Sequence, residues 1–279
     1  MRLPESALVA PSSVGVALAA AVERLARAGC DTPRLDAELL LGSVLGVDRA
    51  RLVMDSGSPL ASDAAARFGD LVARRAAREP VAYILGRQAF RYLDLAVDPR
   101  VLIPRPETEL LVEVGLMLAP GARVIDVGTG SGAVALALAH ERPDLCVVGV
   151  DVSEDALAVA RENAARLGLD VEFRCGDLLA GLRADAVLAN LPYVSVEDTA
   201  SLPPEITSFE PPLALFAGED GLDLVRRLVA MLDGAAVVAL EVGFDQADRV
   251  ASLLSGAGYT SVERLRDLAG HERVVLARR

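Results

Sequence analysis

Three stretches of the chain predict an α/β fold: a doubly wound, mainly parallel sheet preceded by a small helical bundle and a β-hairpin. Residues 123–140, RVIDVGTGSGAVALALAH, run from a β-branched apolar segment through a glycine turn into an Ala/Leu/Val segment. Strand, turn and helix follow one another there. From residue 146 to 277 short apolar runs alternate with segments of helical periodicity, the pattern that specifies a parallel sheet with helices on its faces. Residues 12–77, by contrast, have helical spacing throughout.

Composition narrows the class further. The chain has 279 residues, 52% of them apolar, and a net charge of −12; its basic residues are all Arg. That length holds one large or two modest domains. No uninterrupted apolar run reaches the ~18–20 residues that span a bilayer. The N-terminal stretch, with Glu5, Pro4 and Pro11, lacks the apolar segment of a signal peptide, so a cytoplasmic protein with no membrane association is expected. Cys30, Cys146 and Cys175 are far apart and odd in number, which predicts neither disulfides nor a metal site. The only histidines are His140 and His271, so no metal is expected. The acidic balance speaks against wholesale binding of a phosphate backbone, and no direct nucleic-acid partner is expected.

Along the chain, Ser12 or Ser13 is positioned to cap a helix through residue 28, with Val16, Leu18, Ala20, Val22 and Leu25 at helical spacing and Gly29 ending it. Asp36 opens a second helix that stops near Gly46. A short third covers 48–54, and Ser62 or Asp63 starts a fourth, whose Arg-rich end suits a helix C-terminus. Pro80 closes this region. From 81 to 104 the texture turns to β: residues 83–85, 90–97 and 101–103 read as extended runs, and the last two, around a turn at Asp98-Pro99, as a hairpin joining two domains. The string IPRPETE at 103–109 follows. Its prolines hold the entry extended, and Glu107 and Glu109 fall where a helix N-terminus favours negative charge.

Later elements are read in the same way. Residues 146–150 form an apolar strand ending in Asp151, and Ser153 caps a helix to residue 167. Strands are expected at 171–174, 184–189 and 235–241, helices at 222–232 and 245–257. The closing runs 261–265 and 273–277 lie too close for a crossover helix and should form an antiparallel edge hairpin.

The glycine turn carries the first functional signal. Its glycines permit positive φ, and the helix that follows offers free N–H groups to an anionic or polar ligand. Two cofactors are compatible. Gly128, Gly130 and Ala133 fit the dinucleotide pattern G-x-G-x-x-G/A, with Asp151 about 20 residues on for ribose hydroxyls. Gly132 instead suits S-adenosylmethionine, which has no pyrophosphate and sits closer to the turn.

Asn190-Leu191-Pro192-Tyr193, directly after a strand of the same domain, decides between them. A planar nitrogen is a poor nucleophile because its lone pair is delocalised, as in a peptide. Beside a methyl sulfonium, the Asn190 side-chain oxygen and the Leu191 carbonyl can accept both N–H groups of such a nitrogen. That directs its lone pair toward the methyl and favours the charge developing on nitrogen. Tyr193 offers a flat face for stacking. No base is required before transfer, since the proton can leave afterwards.

GTGSG, Asp151, NLPY and IPRPETE together resemble the bacterial protein-(glutamine-N5) methyltransferases that act on class 1 peptide-chain release factors, the HemK/PrmC family. The resemblance extends to GRQAF at 86–90, FEPPLAL at 209–215 and HERVV at 271–275. It implies a seven-stranded, Rossmann-like, S-adenosylmethionine-dependent methyltransferase domain at 106–279, a helical substrate-recognition domain at 1–80 and a linking hairpin at 81–105. It also implies roles for individual residues. Gly128, Thr129, Gly130, Ser131 and Gly132 hold the methionine end of S-adenosylmethionine, Asp151 takes the ribose, and Asp177 and Leu178 border adenine. Asn190, Leu191, Pro192 and Tyr193 bind the glutamine amide; Asn190, Pro192 and Tyr193 are catalytic, and Asn190 also borders the cofactor. The implied partner is a class 1 release factor, and a monomer is expected.

Two positions depart from the family pattern. Leu191 stands where a proline is usual, although its carbonyl is retained, and Leu178 stands where some members carry an aromatic. Two other functions are compatible with the motifs: amino-methylation of adenine or cytosine in nucleic acid, which calls for a basic groove, and binding of a release factor without turnover. A nicotinamide oxidoreductase would need a hydride-transfer site, and none is found.

Overall fold

The computed structural model describes residues 13–179, 181–195 and 197–279. The chain forms two compact units that divide after Gly86.

The first unit is helical. Its elements are α1 (Val14–Arg27), α2 (Pro33–Leu45), α3 (Arg49–Met54), α4 (Ser62–Ala76) and α5 (Val81–Leu85). Ser13 is the cap of α1, its hydroxyl accepting the Val16 N–H at 3.3 Å; Ser12 lies outside the described residues. Helix α2 begins three residues before Asp36, with Pro33 in its first turn, where the missing N–H costs nothing. Leu25, Leu40, Leu41, Leu52 and Phe68 fill the interior. Within it, Arg75 on α4 pairs with Asp36 on α2 at 2.7 Å, and the Thr32 hydroxyl donates to the other Asp36 oxygen at 2.8 Å. The buried charges are thus paired and hydrogen-bonded, the condition under which they are tolerated.

Residues 83–85 are helical, not extended. The apolar run 81–85 is too short for periodicity to separate strand from helix. Pro80 caps it at the start, and Gly86 in the left-handed region at φ 69° stops it. The hairpin follows, as β1 (Arg87–Phe90) and β2 (Leu93–Ala96), and turns at Arg91-Tyr92, not at Asp98-Pro99; residues 101–103 join no strand. At the latter site the Asp98 carboxylate accepts the Arg100 N–H at 2.9 Å and pairs with its guanidinium, closing a local loop instead.

The second unit continues through a 3₁₀ turn (Pro106–Thr108) into α6 (Glu109–Leu116), then β3 (Arg123–Val127), α7 (Ala133–Glu141), β4 (Cys146–Asp151), α8 (Glu154–Leu167), β5 (Glu172–Cys175) and β6 (Ala186–Ala189). After a loop holding the short α9 (Pro204–Phe209) come α10 (Asp223–Met231), β7 (Val237–Glu241), α11 (Ala247–Gly256), β8 (Ser261–Arg266) and β9 (Glu272–Arg278). The seven-stranded sheet has the order β5-β4-β3-β6-β7-β9-β8. Strands β3 to β7 run parallel, while β9 is antiparallel to both β7 and β8, so the closing hairpin forms the edge as expected.

Alternation along the central strands divides the core between the two faces. Ile125, Val127, Val187 and Val238 pack with Val225, Leu228, Val250 and Leu254 of α10 and α11. Val124, Ala186, Leu188 and Ala239 pack with α6, α7 and the hairpin residues Phe90, Leu93 and Leu95. Chain order reverses between β3 and β6, and at such a switch point the loops leaving the strands part to leave a crevice at their carboxyl ends.

Candidate active site

A cavity of about 440 Å³ lies in that crevice, lined from the ends of β3, β4 and β6 and from the loops around Pro104, Thr108 and Leu213. That volume is in the range of small-molecule sites.

The glycine turn after β3 forms its floor. The N–H groups of Gly128 and Thr129 both donate to the Val150 carbonyl, at 2.8 and 3.0 Å, tying the turn to β4. Gly128 has φ 74°, and a Cβ there would meet the Asn190 carbonyl oxygen at 3.2 Å and Leu191 Cδ2 at 3.3 Å. Only glycine admits both that backbone and that approach. Gly132, at φ 84°, precedes α7; a Cβ on it would stand 2.9 Å from Leu136 Cδ1.

Beneath the turn the Asp126 carboxylate accepts the Thr129 hydroxyl at 2.6 Å and the Ala135 N–H at 3.2 Å. Its burial pushes its pKa up to about 6. At the end of β4, Asp151 accepts the Gly130 N–H on one oxygen and the Ser153 N–H on the other, each at 2.9 Å. Burial raises its pKa, against those N–H bonds. The carboxylate is thus aimed from both sides, with lone pairs left for ligand hydroxyls.

At the end of β6, the Asn190 amide nitrogen donates to the Thr108 hydroxyl at 3.0 Å. Thr108 is buried in IPRPETE, and its hydroxyl lies beside the carboxyl of Glu241 at the end of β7, whose pKa it lowers. The preceding residue, Ala189, is in register with Leu240, so Asn190 and Glu241 leave adjacent strands side by side. Leu191 is buried in the core, its side chain against Gly128.

The structure brings most of the expected positions to one cavity. Gly128, Thr129, Gly130, Ser131, Asp151, Asp177, Leu178, Asn190, Leu191 and Pro192 all line it. Gly132 and Tyr193 do not. Gly132 serves packing at the start of α7, while the Tyr193 carbonyl accepts Gln246 Nε2 at 2.9 Å. The Tyr193 phenol is pushed up to about 12 by burial and by the Glu241 charge. Asp177 pairs with Arg227 across the cavity rim, and Leu178 is buried in a left-handed conformation at φ 52°.

Sequence reasoning missed several supporting residues. Thr108 and Glu241 carried no motif beyond the family string that contains the threonine. Glu210, inside FEPPLAL, pairs with Arg105, so the two strings clasp each other. Their shared rarity was the only signal that they belong together. Among the described residues no group of three or more His, Cys, Asp or Glu is placed to hold a metal ion, and no helix is long and apolar enough to cross a membrane.

Comparison with known proteins agrees with this layout. Residues 16–86 match the PrmC N-terminal domain family and residues 118–217 a methyltransferase domain family. A release factor glutamine methyltransferase of Deinococcus radiodurans is 44% identical over 270 residues, covering 94% of this chain and 97% of that protein. One from Caulobacter vibrioides is 41% identical, covering 92% and 93%. Among solved structures, the catalytic domain of hMettl16 in complex with a MAT2A 3′UTR hairpin shares the fold with a TM-score of 0.57, at 18% identity and over 75% of this chain and 81% of that one.

Proposed function

The chain belongs to the release factor glutamine methyltransferase family, and from that premise we propose that it transfers a methyl group from S-adenosylmethionine to the side-chain nitrogen of the glutamine in the Gly-Gly-Gln motif of class 1 release factors. The observation that carries this reading is the Asn190 amide on the cavity wall, with its nitrogen committed to Thr108 and its oxygen as the remaining end. An amide substrate needs an acceptor at that position.

The cavity fits the cofactor in size and in donor set. Gly130 lines the cavity with open space where a Cβ would stand, and Asp151 presents a held carboxylate suited to a ribose diol. Leu178 and Leu224 line an apolar part where adenine would lie, without an aromatic to stack on it. When bound, the cofactor supplies an electrophilic methyl on a sulfonium.

The protein supplies orientation. Asn190 Oδ1 and the Leu191 carbonyl accept the two N–H groups of the glutamine amide, holding the nitrogen with its lone pair toward the methyl. The same acceptors favour the positive charge that grows on nitrogen as the amide loses its resonance. Pro192 stiffens the loop and disfavours a helical backbone at Leu191. Tyr193 contributes through its carbonyl's contact with Gln246, which fixes the loop from behind.

The test is incubation of the purified chain with methyl-labelled S-adenosylmethionine and class 1 release factors, followed by peptide mass mapping. One methyl on the glutamine of the Gly-Gly-Gln peptide is expected. Label in nucleic acid, or on another residue, would overturn the reading.

A further inference from the structure

Asparagine can present either end of its amide to a ligand, and only the oxygen end suits a substrate that offers N–H groups. What selects the end must lie behind Asn190. The Asn190 nitrogen donates to Thr108 Oγ1 at 3.0 Å, so the Thr108 proton is free to point elsewhere. The carboxyl beside it is that of Glu241, which stands at the end of β7 next to Asn190, is buried at 3% exposure and has an oxygen with no hydrogen-bond partner. An ionised carboxylate can only accept, which fixes the direction of every proton in the series.

We propose that Thr108 and Glu241 are positioning residues: the ionised Glu241 carboxylate orients the Thr108 hydroxyl, and that hydroxyl holds the Asn190 amide with its oxygen toward the substrate. The proposal rests on the reading that Asn190 Oδ1 accepts a substrate N–H. No bond is made or broken in this series; its effect is to determine which atom meets the substrate.

The direction of the series reverses when Glu241 takes up a proton. A carboxylic acid donates to Thr108 Oγ1, the Thr108 proton then turns to Asn190, and the amide must rotate to offer its oxygen inward. Its NH₂ would then face the substrate N–H groups, donor against donor. Burial and the Glu107 charge raise Glu241 to about 7 against the opposing pull of the Thr108 hydroxyl, Arg273 on β9 and Arg105. The Tyr193 phenol also faces it and stays protonated throughout this range. Methyl transfer should therefore increase as pH rises through about 7, because the active form is the deprotonated one.

Two readouts test this on the full chain. The sequence contains only two asparagines, Asn163 and Asn190. Selective ¹⁵N-asparagine labelling therefore gives two side-chain NH₂ signals, and Asn163, whose amide is fixed by Ala96 and Ser131, is the internal control. The Asn190 signal should titrate with a midpoint near pH 7 and stop doing so in Glu241→Gln, with the Asn163 signal unmoved. An Asn190 signal that does not respond to pH, or that titrates equally in Glu241→Gln, overturns the proposal whether or not the substrate has been correctly identified.

Kinetics with a release factor form the second arm. Thr108→Val and Glu241→Gln should lower kcat by about 10- to 100-fold with S-adenosylmethionine affinity within about twofold, for loss of an orienting hydrogen bond. Thr108→Ser should restore most of the rate lost in Thr108→Val. The acid limb near pH 7 should vanish in Glu241→Gln. Wild-type kcat in Thr108→Val sinks the relay. If Asn190→Ala also keeps the wild-type rate, the functional reading itself falls; if Asn190→Ala is inactive, only the relay does.

Discussion

At the scale of single residues the cavity depends on a few polar contacts whose removal has separable effects. Asp151 is held by two main-chain N–H groups, so its carboxylate position costs nothing to organise on ligand binding. Asp151→Ala should weaken S-adenosylmethionine binding by roughly 10- to 100-fold, the loss of charge-assisted hydrogen bonds of about 1.5–3 kcal/mol. Calorimetry giving an unchanged Kd would remove Asp151 from the ribose site. Leu191 poses a different question. Its carbonyl would survive replacement by proline, the usual family residue, but its side chain is buried against Gly128. Leu191→Pro is therefore expected to retain the rate of methyl transfer at saturation while losing about 1–2 kcal/mol of stability, as a core side chain is shortened. A fall in single-turnover rate with unchanged stability would mean that the side chain takes part in the site.

At the scale of elements, the hairpin is the least conventional piece. Its turn residue Arg91 has a positive φ of 50°, donates its N–H to Glu109 at 3.1 Å, and pairs its guanidinium with Glu113 on α6 and Glu141 on α7. The hairpin is thereby fastened to the helical face of the sheet. Arg91→Ala should destabilise the protein by about 3 kcal/mol, because it leaves the largely buried Glu141 without its partner. Chemical denaturation showing a loss below about 0.5 kcal/mol would reduce this pair to a surface contact. The element scale is also where sequence and structure diverge. The parallel strands and their helices were legible because β-branched runs and helical spacing recur with caps such as Ser153, whose hydroxyl does accept the Ala156 N–H at 3.2 Å. Residues 83–85 look extended in sequence yet are helical because the apolar run 81–85 is too short to carry a period, and the turn at Arg91 is set by distant glutamates. Helix α9, six residues long with no buried side chain, left no pattern to find. The cavity's first ring of residues was legible from GTGSG and NLPY, whose chemistry is local. Thr108 and Glu241 were not: they reach Asn190 only when the 3₁₀ turn and β7 fold beside β6.

At the scale of the whole molecule, pH dependence has two opposing parts. Asp126 and Glu241 are raised by burial to about 6 and about 7 from ordinary values of 3.8 and 4.5. The folded state thus holds protons that the unfolded chain has released, and the stability they contribute is present in acid and lost as pH rises from about 4 to 7. Exposed pairs act in the other direction, since arginine partners hold Asp144 and Asp220 down to about 2, and their contribution disappears only as pH falls below 4. Stability should therefore peak near pH 5 and decline toward pH 8, the reverse of the trend for methyl transfer. Asp126→Asn should flatten that decline by on the order of 1–3 kcal/mol in urea denaturation. An unchanged slope would mean that Asp126 is ionised throughout. We further propose that the helical unit, with its own core and buried Asp36–Arg75 pair, recognises the protein substrate. Deleting it should raise the KM for the release factor and leave S-adenosylmethionine affinity unchanged; loss of cofactor binding in a chain still folded by circular dichroism would contradict this. The central claim for the molecule is that Asn190 directs the methyl to a glutamine nitrogen. Its most direct test is the single-turnover rate on a release-factor fragment bearing Gly-Gly-Gln, wild type against Asn190→Ala, with cofactor saturating. A fall of ~10²–10³ with cofactor affinity largely retained is the predicted result; a wild-type rate in Asn190→Ala would contradict it.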